Sequence, residues 1–221
     1  MATDTGFGKV KIFDDFVGHT KDVTHTWAEA TDGGSSEISD SIDDNGYVRL
    51  STGTTDTWRE AIHGEVIWEA ENGGLIFETR IKSYDAITTR AYFVGFTDIK
   101  TVEMPAEMNA AVLTCSAANC VGFMYDTDAD NDYWYCASSK TVKTTPVNTS
   151  VAPKTTDQTL RVEVNVDGDA RFYIDGKYEG SIENAVTAST KLSPCVYIEN
   201  RLGTTTRSVD VDYIYVEGGR S

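Results

Sequence analysis

The sequence predicts an all-β protein, an antiparallel β-sandwich of jelly-roll type, on three observations. Short runs of alternating apolar and polar residues recur along the chain, each bounded by Gly, Asn or Asp turn signals. The stretch 160–179 (LRVEVNVDGDARFYIDGKYE) joins two such runs through an Asp-Gly turn. No linker, repeat or change of composition divides the 221 residues. We therefore expect a flexible arm over 1–8 and one sandwich of about twelve strands over 9–221.

The hairpin at 160–179 predicts the register at the centre of the core. Apolar residues alternate with polar ones on both sides of Asp167-Gly168-Asp169. Because the apolar residues of paired strands share a face, we expect Val164 opposite Phe172 and Val162 opposite Ile174. This pairing leaves a three-residue loop whose glycine takes a positive φ. A two-residue loop would place a charged residue on the core face unless a bulge intervened.

The other elements follow in chain order from the same patterns. Residues 65–68 and 74–82 predict one hairpin, and 120–125 and 133–138 predict a second hairpin around an acidic loop. The residues after Pro105 favour one or two helical turns, and 141–153 predicts an extended edge or loop. The remaining predicted strands are 9–16, 47–51, 90–97, 192–200 and 208–217.

Two of these strands depart from simple alternation. In 9–16, Phe13 and Phe16 break the pattern, which predicts that the end of the strand is covered on both faces. The last strand places Val209, Val211, Tyr213 and Tyr215 on one face, yet Ile214 and Val216 make the second face apolar too. Part of it would then meet another chain or be buried inside its own sandwich.

Charge and composition exclude several classes of protein. The formal net charge of −16 disfavours a nucleic-acid partner, because the phosphate backbone is itself anionic. No apolar run approaches the roughly 20 residues of a membrane-spanning helix. The first residues lack the basic start and apolar stretch of a signal peptide, so we expect synthesis and folding in a cytoplasm.

The four cysteines predict reduced thiols and no metal site. Cys115 and Cys120 form the one close pair, with a spacing unlike that of zinc ligands and no histidine nearby; Cys136 and Cys195 lie farther along the chain. A disulfide between the first two stays open as an alternative, since its geometry is not readable from sequence.

One group of acids superficially matches glycosidase chemistry. Glu163, Asn165 and Asp167 alternate on one strand face, as the paired carboxylates of a glucanase would. The middle position is an amide and the last lies at a turn, so a solvated strand face is the favoured interpretation.

The loop Asp126–Asp132 carries carboxylates at alternating positions, as calcium loops do. Asn131 and Ala137 stand where an EF-hand needs glycine and glutamate, which leaves an acidic exposed turn or an irregular calcium site.

The remaining candidates carry no recognisable chemistry. His19, His25 and His63 are scattered, no nucleophile elbow is present, and Gly6-Phe7-Gly8 precedes a strand where a phosphate loop precedes a helix. The four tryptophans could line a glycan groove, but core packing is favoured; they are Trp27, Trp58, Trp68 and Trp134. The sequence thus predicts no enzyme and no catalytic, cofactor-binding or metal-binding residue.

Several segments together resemble known families. RFYIDGKYEG and VDVDYIYVE resemble the hairpin and closing strand of the concanavalin A-like (laminin G-like) sandwich superfamily. GFGKVKIFDDFVG, GGLIFETRIK, YFVGFTD, VGFMYDTDAD, YIENR and VDYIYVEGGR extend the likeness over nearly the whole chain to virion proteins of tailed bacteriophages.

This resemblance implies a concanavalin A-like jelly roll in a non-enzymatic virion protein. It implies a capsid decoration (cement) protein that docks on the major capsid protein at the capsid surface. A homotrimer would suit three-fold sites of the shell, because linked contacts raise avidity by roughly 10²–10⁴. The alternatives are a glycan-binding adhesin or a head or tail fibre module that contacts the host surface and, less favoured, a glycoside hydrolase.

Overall fold

The structure, a computed structural model, describes residues 9–17, 26–38 and 46–219. The arm predicted over 1–8 lies outside these ranges. The described residues form one 3₁₀ turn, Ala70–Asn72, and eighteen strands. The strands are β1 Lys9–Asp14, β2 Ala28–Thr31, β3 Ser35–Ile38, β4 Val48–Ser51, β5 Arg59–His63, β6 Leu75–Ser83, β7 Arg90–Thr97, β8 Ala106–Asn109, β9 Val112–Cys115, β10 Asn119–Asp126, β11 Tyr135–Lys140, β12 Val142–Lys143, β13 Val147–Asn148, β14 Gln158–Val164, β15 Ala170–Ile174, β16 Lys177–Ile182, β17 Ser193–Asn200 and β18 Ser208–Gly219.

Two antiparallel sheets pack face to face, which confirms the predicted all-β sandwich. Sheet A has the order β16-β15-β14-β6-β18-β4-β3, with β1 pairing β18. Sheet B has the order β12-β11-β10-β7-β17-β5-β2, with β13 pairing β11. Strands β8 and β9 pair only with each other and form a separate hairpin. The first and last described strands, β1 and β18, thus lie together in sheet A, and the chain passes between the two sheets several times.

The core between the sheets is built from the strand faces that alternation predicts. Strand β6 alternates buried and half-buried residues throughout, as does β14. The rings of Phe123 from sheet B and Phe172 from sheet A meet edge to face at 5.4 Å and link the two layers. Trp27, Trp68 and Trp134 are buried, which confirms core packing for three of the four tryptophans.

In the central hairpin, the Asn165 N–H donates to the Asp169 carbonyl oxygen at 2.9 Å and closes a loop of three residues, 166–168. The loop thus has the predicted length, but the register of the two strands is shifted. Val164 pairs with Ala170 and Val162 with Phe172, so the predicted partners were wrong by two positions. Asn165 causes the shift, because its side-chain oxygen accepts hydrogen bonds from the N–H groups of Asp167 (3.0 Å) and Asp169 (2.9 Å). Gly168 takes the expected positive φ, +88°. Val166 consequently lies half exposed in the loop.

A β-bulge in β18 corrects the predicted faces of the last strand. The register of β18 against β6 shifts between Val211 and Tyr213. Ile214 and Val216 therefore continue the core face of the strand, and both are fully buried. Tyr213 and Tyr215 turn to the outer face instead. The apolar character of both faces is explained within this sandwich.

The segment predicted as a helix after Pro105 is the β8–β9 hairpin. Ala106, Met108 and Leu113 are buried in it, and they pack with Phe93 and Tyr197 against the outer face of sheet B. Helix propensity is outweighed here because a two-stranded ribbon can lay alternate side chains on a sheet.

The predicted pairing of 65–68 with 74–82 was also wrong. Trp68 forms a bridge with Leu192, the chain turns at Ala70–Asn72, and β6 pairs with β14 and β18. The hairpin of β10 and β11 is confirmed, with Met124 opposite Tyr135.

Candidate functional site

The two outer faces of the sandwich differ in how they are covered. Sheet B carries the β8–β9 hairpin, beneath which a second apolar cluster is buried; its members include Met104, Met108, Phe93, Met124 and Tyr197. The face of sheet A has no such cover among the described residues. A ligand or partner that approaches a strand face therefore meets sheet A.

The outer face of sheet A presents two rows of side chains across its strands. One row runs Lys11, Glu217, Ile76, Glu163, Arg171 and Ser181 from β1 to β16. The next row runs Phe13, Tyr215, Glu78, Arg161, Tyr173 and Tyr178. The face thus combines charged pairs at its centre with aromatic rings toward both edges.

The aromatic rings form two clusters at opposite edges. Phe13 is 61% exposed, which contradicts the prediction that the end of its strand is covered on both faces, and its ring lies 5.6 Å from that of Tyr213. Tyr178 is 52% exposed and meets Tyr173 edge to face at 5.8 Å. Each cluster offers a ring face to solvent beside polar groups.

Two ionic groups order the centre of this face. Arg161 donates to Glu78 at 3.0 Å and to Glu163 at 2.7 Å. Glu217 pairs with Lys9 at 3.0 Å and Lys11 at 3.1 Å. A hydrogen bond from the Tyr215 hydroxyl, followed by those from the two lysines, lowers the pKa of Glu217 to about 2, so this carboxylate is charged at neutral pH.

A cleft of about 580 Å³ opens at one end of the face, where the β14–β15 loop meets the end of β16, the start of β6 and the paired ends of β1 and β18. Polar groups that line it include Glu163, Asn165, Arg171, Ser181 and Glu183. Clefts of roughly 300–1,000 Å³ are typical of small-ligand sites. The structure therefore brings together Glu163 and Asn165, two of the three residues of the glycosidase-like motif. Asp167 lies exposed in the loop and does not line the cleft.

Arg171 differs from Arg161 and Glu217, the paired charges at the centre of this face. It is exposed, and its side chain makes no hydrogen bond or ion pair with any residue that the structure describes. Its cross-strand neighbours are Glu163, which is engaged by Arg161, and Ser181. Among the described residues, none engages the five N–H donors of its guanidinium, which can therefore bind a ligand.

A second ionic group lies under the β8–β9 hairpin and was missed by sequence reasoning. Glu199 is fully buried and accepts hydrogen bonds from Arg59 at 2.5 Å and Arg201 at 2.6 Å. Arg201 also donates to Asp126, and Arg59 reaches Glu107 on the hairpin at 3.4 Å. Burial raises the pKa of Glu199 to about 7 and raises that of Asp126 in the same direction, against the pull of the arginines. These contacts join sheet B to its hairpin.

The loop Asp126–Asp132, for which an acidic exposed turn or an irregular calcium site was expected, contributes Asp126 to this same group. Both carboxylate oxygens of Asp126 bond Arg201, and they also accept the N–H groups of Met108 (2.9 Å) and Asp128 (3.0 Å). Among the described residues, no three His, Cys, Asp or Glu side chains are grouped to hold a metal ion. Tyr133, at 36% exposure, is the large exposed aromatic of this loop.

The remaining candidates lie apart from the cleft. All four cysteines are free thiols; Cys115 is half-buried and hydrogen-bonded to the buried Cys120. His63 is buried, which lowers its pKa and keeps it neutral. Trp58 is partly exposed and packs against Gly33 and Gly53. His19, His25 and Gly6-Phe7-Gly8 lie outside the described residues.

Within the described ranges, the structure contains no helix with the length and apolar character of a membrane span. No protein-family model matches the chain, and no curated protein sequence is similar to it.

Solved structures of similar fold come from several kinds of protein. The Emp47p carbohydrate recognition domain aligns with a TM-score of 0.64 and 10% identity, over 99% of this chain and 100% of that domain. A Bacillus licheniformis β-glucanase aligns at 0.64 and 12%, over 93% and 97%. A carbohydrate esterase of the Shiga toxin-encoding bacteriophage phi24B aligns at 0.51 and 15%, over 89% and 91%. At these identities the likeness concerns the fold, which lectins and enzymes share and which does not settle whether the chain is an enzyme. The protein has the concanavalin A-like jelly-roll fold.

Proposed function

We propose that this protein is a non-catalytic carbohydrate-binding module whose ligand lies on the outer face of sheet A. The observation that carries the proposal is the cleft of about 580 Å³, which no described residue covers and which polar groups line, near the exposed Tyr178 and its partner Tyr173. Sugar hydroxyls pair with carboxylate, amide and guanidinium groups, while the apolar side of a sugar ring packs on an aromatic face. Neighbours in this fold that recognise or process carbohydrate agree with the proposal.

The arrangement of the acids favours binding over hydrolysis. A retaining glycosidase needs two carboxyl groups about 5–5.5 Å apart that flank the scissile bond. Glu163 is held by Arg161, and Asp167 lies outside the cleft. Glu199, whose pKa is raised toward that of a general acid, is fully buried behind Arg59 and Arg201.

A glycan array followed by titration calorimetry tests this proposal. We expect binding by wild type, a loss of at least tenfold in affinity for Tyr178→Ala, and no change for Tyr133→Ala. Tyr133 is the matched control, because it is an exposed tyrosine in the loop before β11, away from sheet A. Absence of binding across neutral and charged glycans, with and without calcium, would refute the proposal.

A second candidate function is capsid decoration, as the resemblance of the sequence implies. It is favoured by the wide spread of tyrosine and arginine on the same face, the residue types that dominate protein interfaces; they include Tyr173, Tyr178, Tyr213, Tyr215, Arg80 and Arg161. The partner would be the major capsid protein, met by a homotrimer at the capsid surface. A stable contact of this kind buries about 1,200–2,000 Å² in total.

Cosedimentation with particles that lack this protein, followed by cryo-EM, tests the second candidate. We expect saturable binding, density of sandwich shape at fixed sites of the shell, and loss of both for Phe13→Ala combined with Tyr213→Ala. No cosedimentation, or a protein that stays a monomer both free and on particles, would contradict it. An adhesin would bind glycan in the first experiment and leave the shell empty in this one.

A further inference from the structure

We propose that the cleft selects carbohydrate that carries a ring carboxylate, such as a uronic or sialic acid, and that Arg171 binds this carboxylate. The inference rests on the proposed function and names its ligand class. It follows from the state of Arg171, from the balance of charge on sheet A and from the groups placed around the guanidinium.

The first step is the freedom of Arg171. The guanidinium of the neighbouring Arg161 donates to Glu78 and Glu163, whereas the guanidinium of Arg171 bonds no residue that the structure describes. A planar guanidinium matches a carboxylate in two parallel hydrogen bonds, which a neutral sugar hydroxyl does not offer. Glu163 lies directly opposite Arg171, but Arg161 partly neutralises it. Arg171 is therefore a cation of the cleft whose guanidinium N–H groups have no hydrogen-bond partner among the described residues.

The second step is the charge of the surface around it. The chain carries 19 basic and 35 acidic residues, so its average surface repels an anion. The outer positions of β1, β18, β6, β14 and β15 depart from this average, with six basic and five acidic side chains. They are Lys9, Lys11, Arg80, Lys82, Arg161 and Arg171 against Glu78, Glu163, Asp210, Asp212 and Glu217. The lining of the cleft itself holds two basic and four acidic residues, Lys9 and Arg171 against Glu163, Asp169, Glu183 and Glu217, so a ligand carboxylate is accepted only at the basic side that adjoins this face.

The third step is the position of the surrounding groups. Ser181 lies directly across from Arg171, where its hydroxyl can share the carboxylate, since opposed residues stand about 5 Å apart. Tyr173 follows two residues along the same strand face, and its partner Tyr178 offers an exposed ring. On the other side, Glu183 and Asp169 are acidic. Asp169 is held by Asn165 and by the Asn184 N–H, and Glu183 is exposed. The ligand carboxylate would therefore bind at Arg171 and Ser181, and the sugar hydroxyls would face Glu183.

Titration calorimetry with matched ligands tests the inference. The probes are trigalacturonate and 3′-sialyllactose, the same two sugars with the carboxyl reduced to an alcohol, and neutral maltotriose and lactose. Wild type should bind the acids at least tenfold more tightly than their reduced forms. Arg171→Gln should lose about 10- to 100-fold in affinity for the acids, because a charged hydrogen-bonded pair is removed, and should lose clearly less for the neutral sugars. Arg171→Lys should fall between the two.

Lys177→Gln is the matched control. Lys177 is exposed on the neighbouring strand and pairs with Glu179 at 3.0 Å, so the variant removes the same charge outside the cleft. Equal loss in Lys177→Gln and Arg171→Gln would overturn the inference, as would equal affinity of wild type for an acid and its reduced form. The second comparison uses wild type alone and does not depend on how a variant folds. Binding of neutral sugars only would refute this inference and leave the proposed function standing; binding of no sugar would refute both.

Discussion

Replacing Glu199 by glutamine should make the protein more stable in base and nearly unchanged in acid. The pKa of this carboxyl is raised from 4.5 to about 7 by burial, so the folded state disfavours its charged form. Stability that depends on Glu199 is then fully present below about pH 4.5 and is lost as pH rises through about 7. A difference of about 2.5 pKa units corresponds to about 3 kcal/mol in the free energy of unfolding.

Urea denaturation at several pH values from 5 to 8.5, followed by the fluorescence of the buried tryptophans, measures this effect. We expect the variant to exceed wild type by about 3 kcal/mol at pH 8.5 and by less than about 1 kcal/mol at pH 5. Asp126, whose pKa is also raised by burial, should leave a smaller slope of the same sign in the variant. Glu183→Gln, on the exposed cleft, is the control and should keep the slope of wild type.

The opposite result would refute the reasoning. If Glu199 stays charged and paired at every pH, its replacement removes a buried partner from both Arg59 and Arg201. A broken buried pair typically costs about 3–5 kcal/mol. A variant that is less stable than wild type by that amount at pH 8.5 would show that the arginines, and not burial, control this carboxyl.

Three further changes test the fold and its chemistry. Phe172→Ala should lower the free energy of unfolding by about 3–5 kcal/mol, while Phe13→Ala, on the exposed face, should change it by less than about 0.5 kcal/mol in the same urea titration. Gly95→Ala should destabilise the protein more than an average substitution, because φ is +156° and a Cβ would lie 2.3 Å from the Val121 carbonyl oxygen. Thermal unfolding measures the loss of stability, and an unchanged Tm would contradict the close approach of β7 and β10. With Ellman's reagent, Cys115 should react first, because it is only half-buried and a hydrogen bond to Cys120 lowers its pKa. The other three thiols should react only after the protein unfolds. Cys115→Ser should therefore abolish the fast phase of the reaction.

Alternation predicted the strands well where one face is buried and the other is wet. Strands β6 and β14 lie within two residues of their predicted bounds, because their apolar residues leave few choices of face. Strand β17 also lies within a residue of its predicted bounds, although all eight of its residues are buried. The errors arose where one side chain changes the backbone locally. Asn165 moved a turn by one residue, and the bulge beside Asp212 exchanged the faces of half a strand. Neither effect leaves a periodic signal.

The candidate site was predictable only in part. Glu163 and Asn165 stood out through their spacing, and both line the cleft. Arg171 and Ser181 are brought together only by pairing between β15 and β16. The buried ionic group likewise joins Arg59, Asp126 and Glu199 from three distant parts of the chain. Such sites depend on topology, which local patterns do not contain.

The hairpin that covers sheet B makes the sandwich one-sided. Its tip, at Asn109 and Val112, lies on the layer opposite the cleft, and Val112 is 57% exposed. A peptide or fluorophore grafted between these residues would lie on the side of the sandwich away from any ligand bound to sheet A. When a partner binds the outer face of sheet A, the hairpin on sheet B would remain exposed to solvent. Antibodies raised against the hairpin tip would then still recognise the bound protein.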